Sequence, residues 1–234
     1  MKTEAITLQG SVKRVVHPDI LGELPDALKA LGFSKPQPSI VVVGGAGGMS
    51  SDDIAKVQGF FEKELLPFAQ KMKAVIFDGG TDSGVIAAVG RACEAAKIKD
   101  LPMVGVVARG IENVQGMLES NHSHFIFCPG SNWGDESEWI AAAASALSGS
   151  LPTAAVLING GQITWEDARF NVHYGRPVLI AEGSGRTADV IATTKLGFGT
   201  DAKALALIRT GRVHVANFFK DPQHFIKKIS DLMK

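Results

Sequence analysis

Pro177-Val178-Leu179-Ile180-Ala181, followed by Glu182-Gly183-Ser184-Gly185-Arg186-Thr187-Ala188-Asp189, sets a short apolar run directly before a glycine-rich turn and the start of a helical pattern. A turn of this kind lets backbone N–H groups approach an anion closely, and a helix N-terminus adds roughly half a positive charge. The same punctuation follows β-like runs at Val43-Gly44-Gly45-Ala46-Gly47-Gly48-Met49, Phe77-Asp78-Gly79-Gly80-Thr81-Asp82-Ser83-Gly84 and Ile158-Asn159-Gly160-Gly161-Gln162-Ile163-Thr164. Singly, a Gly-Gly after a strand is a common turn device. Together, four such turns on one edge of a sheet make a phosphate-lined crevice.

Working outward, short and nearly continuous apolar runs read as strands at Ser39–Gly44, Ala74–Asp78, Met103–Ala108, His124–Cys128, Ala154–Asn159, Pro177–Ala181 and Arg212–Ala216. Runs of this kind belong to strands buried on both faces. Helical patterns separate them at Ile20–Leu31, Asp52–Lys71, Ser83–Lys97, Trp139–Leu147, Thr164–Tyr174, Thr187–Leu196 and Asp201–Arg209. Strand alternating with helix implies parallel pairing through right-handed crossovers. The expected fold is α/β, a Rossmann-like three-layer sandwich with a mostly parallel central sheet. Gly10–His17 reads as an added edge strand, so that residues 1–38 supply an edge strand and a helix. Residues 217–234 close the fold with an amphipathic helix, Asp221–Lys234, that turns Phe225, Ile226, Ile229 and Leu232 inward. Ser148-Gly149-Ser150-Leu151-Pro152 is the only soft joint, and the expectation is one domain over residues 1–234. In an open parallel sheet, ligands bind beyond the carboxyl ends of the strands. All four glycine turns fall there.

Composition narrows the function classes. Lys plus Arg and Asp plus Glu are balanced at 24 each, which removes a global field for nucleic acid or an anionic membrane. Cys93 and Cys128 sit far apart in apolar contexts with no CxxC spacing, and read as buried free thiols in a reducing cytoplasm. The N-terminus has no secretory character, and no apolar run approaches the roughly 20 residues that span a bilayer. The expectation is a cytoplasmic protein with no membrane and no direct nucleic-acid partner. No metal or other cofactor is expected: His122, His124 and Cys128 lack a second ligand pair at structural spacing.

The turns match neither the GxGxxG nor the GxxxxGK[ST] fingerprint. They resemble instead the SLOG superfamily, named for its relation to the LOG phosphoribohydrolases, the Smf/DprA proteins and the nucleotide-sensing N-terminal region of TRPM channels. The resemblance is to the TRPM-like prokaryotic branch, also called LSDAT. Asp78-Gly79-Gly80-Thr81-Asp82-Ser83-Gly84-Val85 is similar to the channels' GG-T/S-x-x-G-V turn, Asn121-His122-Ser123-His124-Phe125 to N-H-T-H-F, and Glu182 to Asp189 to E-G-S-G-R-x-A-D. It covers roughly Ser39 to Ile191 and implies a Rossmann-like fold binding ADP-ribose-like or related nucleotides. LOG-type hydrolases carry P-G-G-x-G-T-x-x-E, whose acid helps cleave an N-glycosidic bond. The aligned Asn159-Gly160-Gly161-Gln162-Ile163-Thr164-Trp165-Glu166-Asp167 keeps the paired glycines and the threonine, loses the proline and third glycine, and ends on an aspartate. Glu166 stands one position early. A catalytic group shortened by a methylene loses large factors in rate, so binding survives where hydrolysis does not.

The expected ligand-binding residues are therefore Gly44, Gly45, Gly48, Gly79, Gly80, Thr81, Ser83, Gly160, Gly161, Thr164, Gly183, Ser184, Gly185 and Arg186. Arg186 grips phosphate bidentately or pairs with Asp189 or Glu182. Thr81 and Ser83 donate to a second phosphate or cap the next helix. Asp78 accepts from a ribose hydroxyl or caps its own turn. His122 and His124 fix the loop before a strand, with a histidine bonding backbone. Trp133 stacks on a base, or the stretch to Trp139 is an acidic first helical turn with one tryptophan buried. Trp165 and Tyr174 read as core or interface. The leading function is non-catalytic binding or sensing of a phosphorylated nucleotide: ADP-ribose-like, NAD-derived or a cyclic dinucleotide. The alternative is a phosphoribohydrolase with Glu166 or Asp167 as the acid and Arg186 or Arg169 orienting phosphate. A third reading is self-association through the Ala-rich segment Ile140–Leu147, giving a homo-oligomer.

Overall fold

The structure is a computed structural model and describes residues 1–234. Nine strands form one sheet in the order β1-β2-β6-β5-β4-β3-β7-β8-β9. They are β1 (Lys2–Leu8), β2 (Ser11–His17), β3 (Ser39–Gly44), β4 (Val75–Asp78), β5 (Met103–Ala108), β6 (His124–Cys128), β7 (Thr153–Ile158), β8 (Val178–Ala181) and β9 (Val213–Ala216). Every pairing is parallel except β1 with β2.

The single expected N-terminal strand is thus half of a hairpin. Gln9 and Gly10, both at positive φ (45° and 77°), make the two-residue turn whose twist suits antiparallel strands. Lys2–Leu8 alternates between exposed and half-buried positions, so it carries no continuous apolar run. It takes the edge, and the expected edge strand lies one place inward against β6.

Helices cover both faces. On one lie α1 (Leu24–Leu31), α5 (Ser137–Ser148), α6 (Gln162–His173), α7 (Arg186–Lys195) and α8 (Ala202–Arg209), which pack with Val41, Val43, Phe77 and Leu157 of the sheet. On the other lie α2 (Ser51–Phe60), α3 (Leu66–Lys71), α4 (Gly84–Ala95) and α9 (Pro222–Leu232), packed against Ile40, Val42, Ile76 and Val156. Alternate residues of the central strands feed the two cores, as the period of a strand requires. Phe225 and Ile229 of α9 are fully buried, with Ile226 and Leu232 half-buried beside them.

The helix expected over Asp52–Lys71 runs without interruption from Ser51 to Lys71, but passes through a π-helical turn at Phe61–Leu65 between α2 and α3. Pro67 lacks an amide hydrogen and its ring clashes with the carbonyl of Lys63, so the ladder widens for one turn. Between β7 and α5, Arg176 is the largest fully buried side chain. Its guanidinium donates to Thr153 Oγ1 (2.7 Å), Asn171 Oδ1 (2.7 Å), Ser145 Oγ (2.8 Å) and the Ala141 carbonyl (3.2 Å), all neutral acceptors.

From β3 the chain steps one way along the sheet to β4, β5 and β6, then returns to β7 on the other side of β3. The helices after β3 and β7 lie on opposite faces. This is the switch point at which a parallel sheet opens a crevice.

Candidate functional site

A crevice of about 740 Å³ opens at the carboxyl ends of these strands. Five segments wall it: the loop after β3, the turn after β4, Gly116 and Met117, the start of α5 with Trp133, and the start of α6, with Arg186 at one end. Of the residues expected from sequence, Gly44, Gly45, Gly79, Thr81, Ser83, Gly161, Thr164 and Arg186 line it, and so does Asp167.

The others serve the walls. Gly48 lies under Arg186, where a Cβ would come 2.7 Å from Arg186 Cδ. Gly80 is buried against Gly105, and Gly160 against Gly45. The Gly183 amide donates to Asp189 Oδ1 at 2.7 Å. Ser184, expected as a ligand contact, is buried: its hydroxyl donates to the Ala181 carbonyl (2.6 Å) and accepts from the Asn159 amide (2.7 Å). Gly185, at φ 94°, is the N-cap of α7. Glu166 is exposed and paired with Arg169 at 2.7 Å, outside the crevice.

Arg186 has neither of the acidic partners weighed for it. Its Nη1 donates to the Gly47 carbonyl at 2.9 Å, across 139 residues of sequence, and so ties the loop after β3 to the turn after β8. Arg186 itself holds φ +51°. At the same helix start, the amides of Gly185, Arg186 and Thr187 have no acceptor within the chain. Asn159, replacing the proline of the hydrolase pattern, is fully buried at φ +58°, and neither atom of its side-chain amide has a partner. A Cβ on Gly45 would lie 3.3 Å from Asn159 Oδ1, which puts this amide beneath the crevice loop.

The opposite wall is acidic and apolar. Glu136, at 8% exposure, and Asp167 both face the crevice, next to Ile140, Ile163 and Met117. Burial raises Asp167 to about 7; the nearby Ser137 hydroxyl opposes this, and the charges of Glu136 and Glu166 add to it. Burial likewise raises Glu136, against the pull of its own amide and that of Gly134, which donates to Glu136 Oε2 at 2.9 Å. Trp133 is half-exposed at the crevice, while Trp139 is the tryptophan buried against the sheet. Glu136 was hidden in sequence among Asp135, Glu136 and Glu138, where an acid in the first turn of a helix needs no ligand to explain it.

Ser83 is the backbone N-cap of α4 but caps no amide with its hydroxyl, which lies 3.2 Å from that of Thr81. Thr164 accepts the Gly161 amide at 3.0 Å. Asp78 is fully buried beneath its turn and accepts from Gly80 N–H and from His122, so it faces no sugar. His122 bonds two carboxylates, Asp78 and Glu119, and not backbone. His124 points elsewhere, its ring 5.0 Å from that of Phe33. Trp165 and Tyr174 pack half-buried on the core. Cys93 and Cys128 are buried free thiols, and burial pushes Cys128 up to about 12. No helix is long and apolar enough to cross a membrane.

Comparison with known proteins agrees with this architecture. Transient receptor potential cation channel subfamily M member 2 of Mus musculus is 28% identical in an alignment of 204 residues, which covers 69% of this chain and 13% of the channel. The Rattus norvegicus channel gives 27% over the same shares. The chain therefore matches about an eighth of these relatives' length. Among solved structures, TM1055 superposes with a TM-score of 0.59 at 19% identity, covering 82% of this chain and 99% of that one. The molybdenum cofactor binding protein of Rippkaea orientalis gives 0.57 at 13% identity, over 86% and 100%. The molybdenum cofactor carrier protein of Chlamydomonas reinhardtii gives 0.55 at 14%, over 84% and 98%. These three likenesses are of fold. Matched from just before β3 into α9, over residues 37–227, the chain belongs to the family described as SLOG in TRPM, prokaryote.

Proposed function

We propose that the crevice binds a phosphorylated nucleotide without transforming it, with phosphate at the Arg186 end and the base toward Trp133. One observation carries this reading. A guanidinium held only by a backbone carbonyl extends from the first residue of a helix whose starting amides, at Gly185, Arg186 and Thr187, lack acceptors. An anion completes that arrangement through charge-assisted bonds and the helix field. The unpartnered Asn159 amide beneath the same loops adds further hydrogen-bonding capacity. A crevice of about 740 Å³ suits a ligand of nucleotide size, and the family resemblance makes ADP-ribose-like, NAD-derived and cyclic dinucleotide ligands the first to try.

A second reading, hydrolysis of the N-glycosidic bond of a nucleoside monophosphate, is favoured by one observation: Asp167, standing where the hydrolase pattern has its acid, lines the crevice and is raised to about 7. That is a suitable value for a general acid. Glu166 drops out of this reading.

The deciding experiment is a thermal-shift panel of ADP-ribose, NAD, AMP, ATP, GMP and cyclic dinucleotides, with free base followed by chromatography. A ligand at a hundredfold excess over its Kd adds about 2.7 kcal/mol. A shift without base release supports binding, base release supports hydrolysis, and neither shift nor release with any ligand removes both.

A further inference from the structure

The crevice has two poles, set on opposite sides of β3 in the sheet order: Arg186 follows β8, whereas Trp133 and Glu136 follow β6. The second pole has an unusual chemical imbalance. Glu136 is almost completely buried, Asp167 stands beside it across the packed α5–α6 pair, and no cation contributes to the surroundings of either carboxyl. Glu136 has one oxygen engaged by the Gly134 amide. Asp167 has for a neighbouring donor only the Ser137 hydroxyl, which is fully buried and in bonding geometry with no partner. Two carboxyls without a counter-ion, walled by Ile140, Ile163 and Met117 and flanked by an exposed indole, keep acceptor positions open to the crevice, Glu136 from an almost fully buried site and Asp167 from a half-buried one. A ligand ring seated against this wall can supply donors to them.

A base supplies them in one of two ways. The adenine edge offers an amino group next to a ring-nitrogen acceptor, so one carboxylate oxygen would face a lone pair. A 2-amino-4-oxopyrimidine edge offers a ring N–H and an exocyclic amino group side by side, two parallel donors for two carboxylate oxygens. We propose that Asp167, backed by Glu136, selects ligands carrying that 2-amino-4-oxo edge, as in guanine nucleotides or phosphorylated pterins, while Trp133 offers its face to the ring. The inference rests on the reading of the crevice as a nucleotide site and adds to it the identity of the ring.

The test is isothermal titration of the full chain with GMP, AMP, XMP and neopterin monophosphate, for wild type, Asp167→Asn and Arg186→Ala. Wild type should bind GMP or neopterin monophosphate at least about tenfold more tightly than AMP, because a site built for donors rejects a ring that lacks them. Whichever of the two binds better names the source of the edge. In Asp167→Asn the carboxamide still accepts the ring N–H but now presents an amino group, so GMP should weaken about tenfold or more while XMP, with oxygen at that position, strengthens. A gain for XMP also establishes that the variant is folded. AMP binding as tightly as GMP, with its affinity still dependent on Arg186, overturns the ring assignment and leaves the nucleotide reading intact. Absence of binding by all four ligands overturns the ring assignment, while the nucleotide reading itself is decided by the ADP-ribose, NAD and cyclic dinucleotide panel. Release of free guanine from GMP that disappears in Asp167→Asn overturns the recognition role by making Asp167 a bond-cleaving group.

Discussion

His122 Nε2 lies 2.8 Å from Asp78 Oδ1 while its Nδ1 lies 2.8 Å from Glu119 Oε2, so a single buried imidazole joins two carboxylates. The same groups hold the turn that lines the crevice: Asp78 accepts the Gly80 amide at 2.8 Å, and the Glu119 amide donates to the Gly80 carbonyl at 2.9 Å. Glu119 fits because Gly90 of α4 has no side chain; a Cβ there would lie 2.0 Å from the carboxyl carbon. Removing the ring strands two buried anions, a loss in the class of breaking a buried ion pair, about 3–5 kcal/mol. His122→Ala should therefore show a greatly lowered urea midpoint with an unchanged slope. A loss below about 1 kcal/mol would mean that the carboxylates are satisfied by other means.

The pH dependence follows from the same ring. Burial by itself lowers the value for His122, but the Asp78 charge and hydrogen bond, with those of Glu119, outweigh it and raise the ring from 6.5 to about 9. The native state then keeps a proton that the unfolded chain releases, so this contribution is complete below pH 6.5 and is lost as pH rises through about 9. The slope is at most about 1.4 kcal/mol per pH unit. Glu119 runs the other way: burial raises it, the His122 and Asn121 bonds outweigh that, and its net value lies below 4.5, so its contribution disappears on acidification. Stability to urea should decline between pH 6.5 and about 9, and His122→Gln should flatten that decline. A wild-type protein equally stable at both pH values would contradict the buried imidazolium.

The alternation of apolar runs and helical patterns was legible because buried parallel strands are continuous apolar segments: Ser39–Gly44, Met103–Ala108 and His124–Cys128 are the observed β3, β5 and β6 to the residue. Lys2–Leu8 was not, since a solvated edge strand shows only alternation, and it is recruited by its hairpin to Ser11–His17. The glycine turns and Arg186 were legible as a group, because turns that need positive φ or close backbone approach leave a local mark. Which of them face the crevice was not. Ser184 and Asp78 are consumed by bonds to Asn159, Ala181, Gly80 and His122, partners distant in sequence or set by turn geometry. Glu136 joins Asp167 only through the packing of α5 on α6, a tertiary relation with no sequence signal.

Two glycines of the loops around the crevice should respond very differently to the same change. Gly84 holds φ +49°, and a Cβ there would lie 2.0 Å from the Gly45 carbonyl oxygen and 2.6 Å from Ala46 Cα. Backbone meets backbone, so no rotamer change relieves it. Gly84→Ala should lose about 3 kcal/mol or more and should displace the loop after β3. At Gly47, in the same crevice, a Cβ would meet nothing within 4 Å and the backbone holds no positive φ. Gly47→Ala should therefore stay within about 0.5 kcal/mol of wild type. Melting temperatures of the two variants decide the point, and equal shifts would mean that the turn after β4 does not seat against that loop.

Arg186 separates binding from folding because its backbone is unfavourable where its side chain is useful. At φ +51° a non-glycine residue carries local strain, and the one hydrogen bond of its side chain, to Gly47, is exposed. Arg186→Ala should leave the melting temperature of the free protein nearly unchanged and weaken nucleotide affinity by about 1.5–3 kcal/mol, the range for a charged hydrogen bond. Arg186→Lys restores charge without the planar fork and should recover only part of that loss. Arg186→Gly removes the guanidinium and also the strain, so its free form should melt at or above wild type although its affinity falls as far as that of the alanine variant. Titration of the three variants beside their melting curves checks all of this. Affinity unaltered in Arg186→Gly would take Arg186 out of the phosphate end of the crevice.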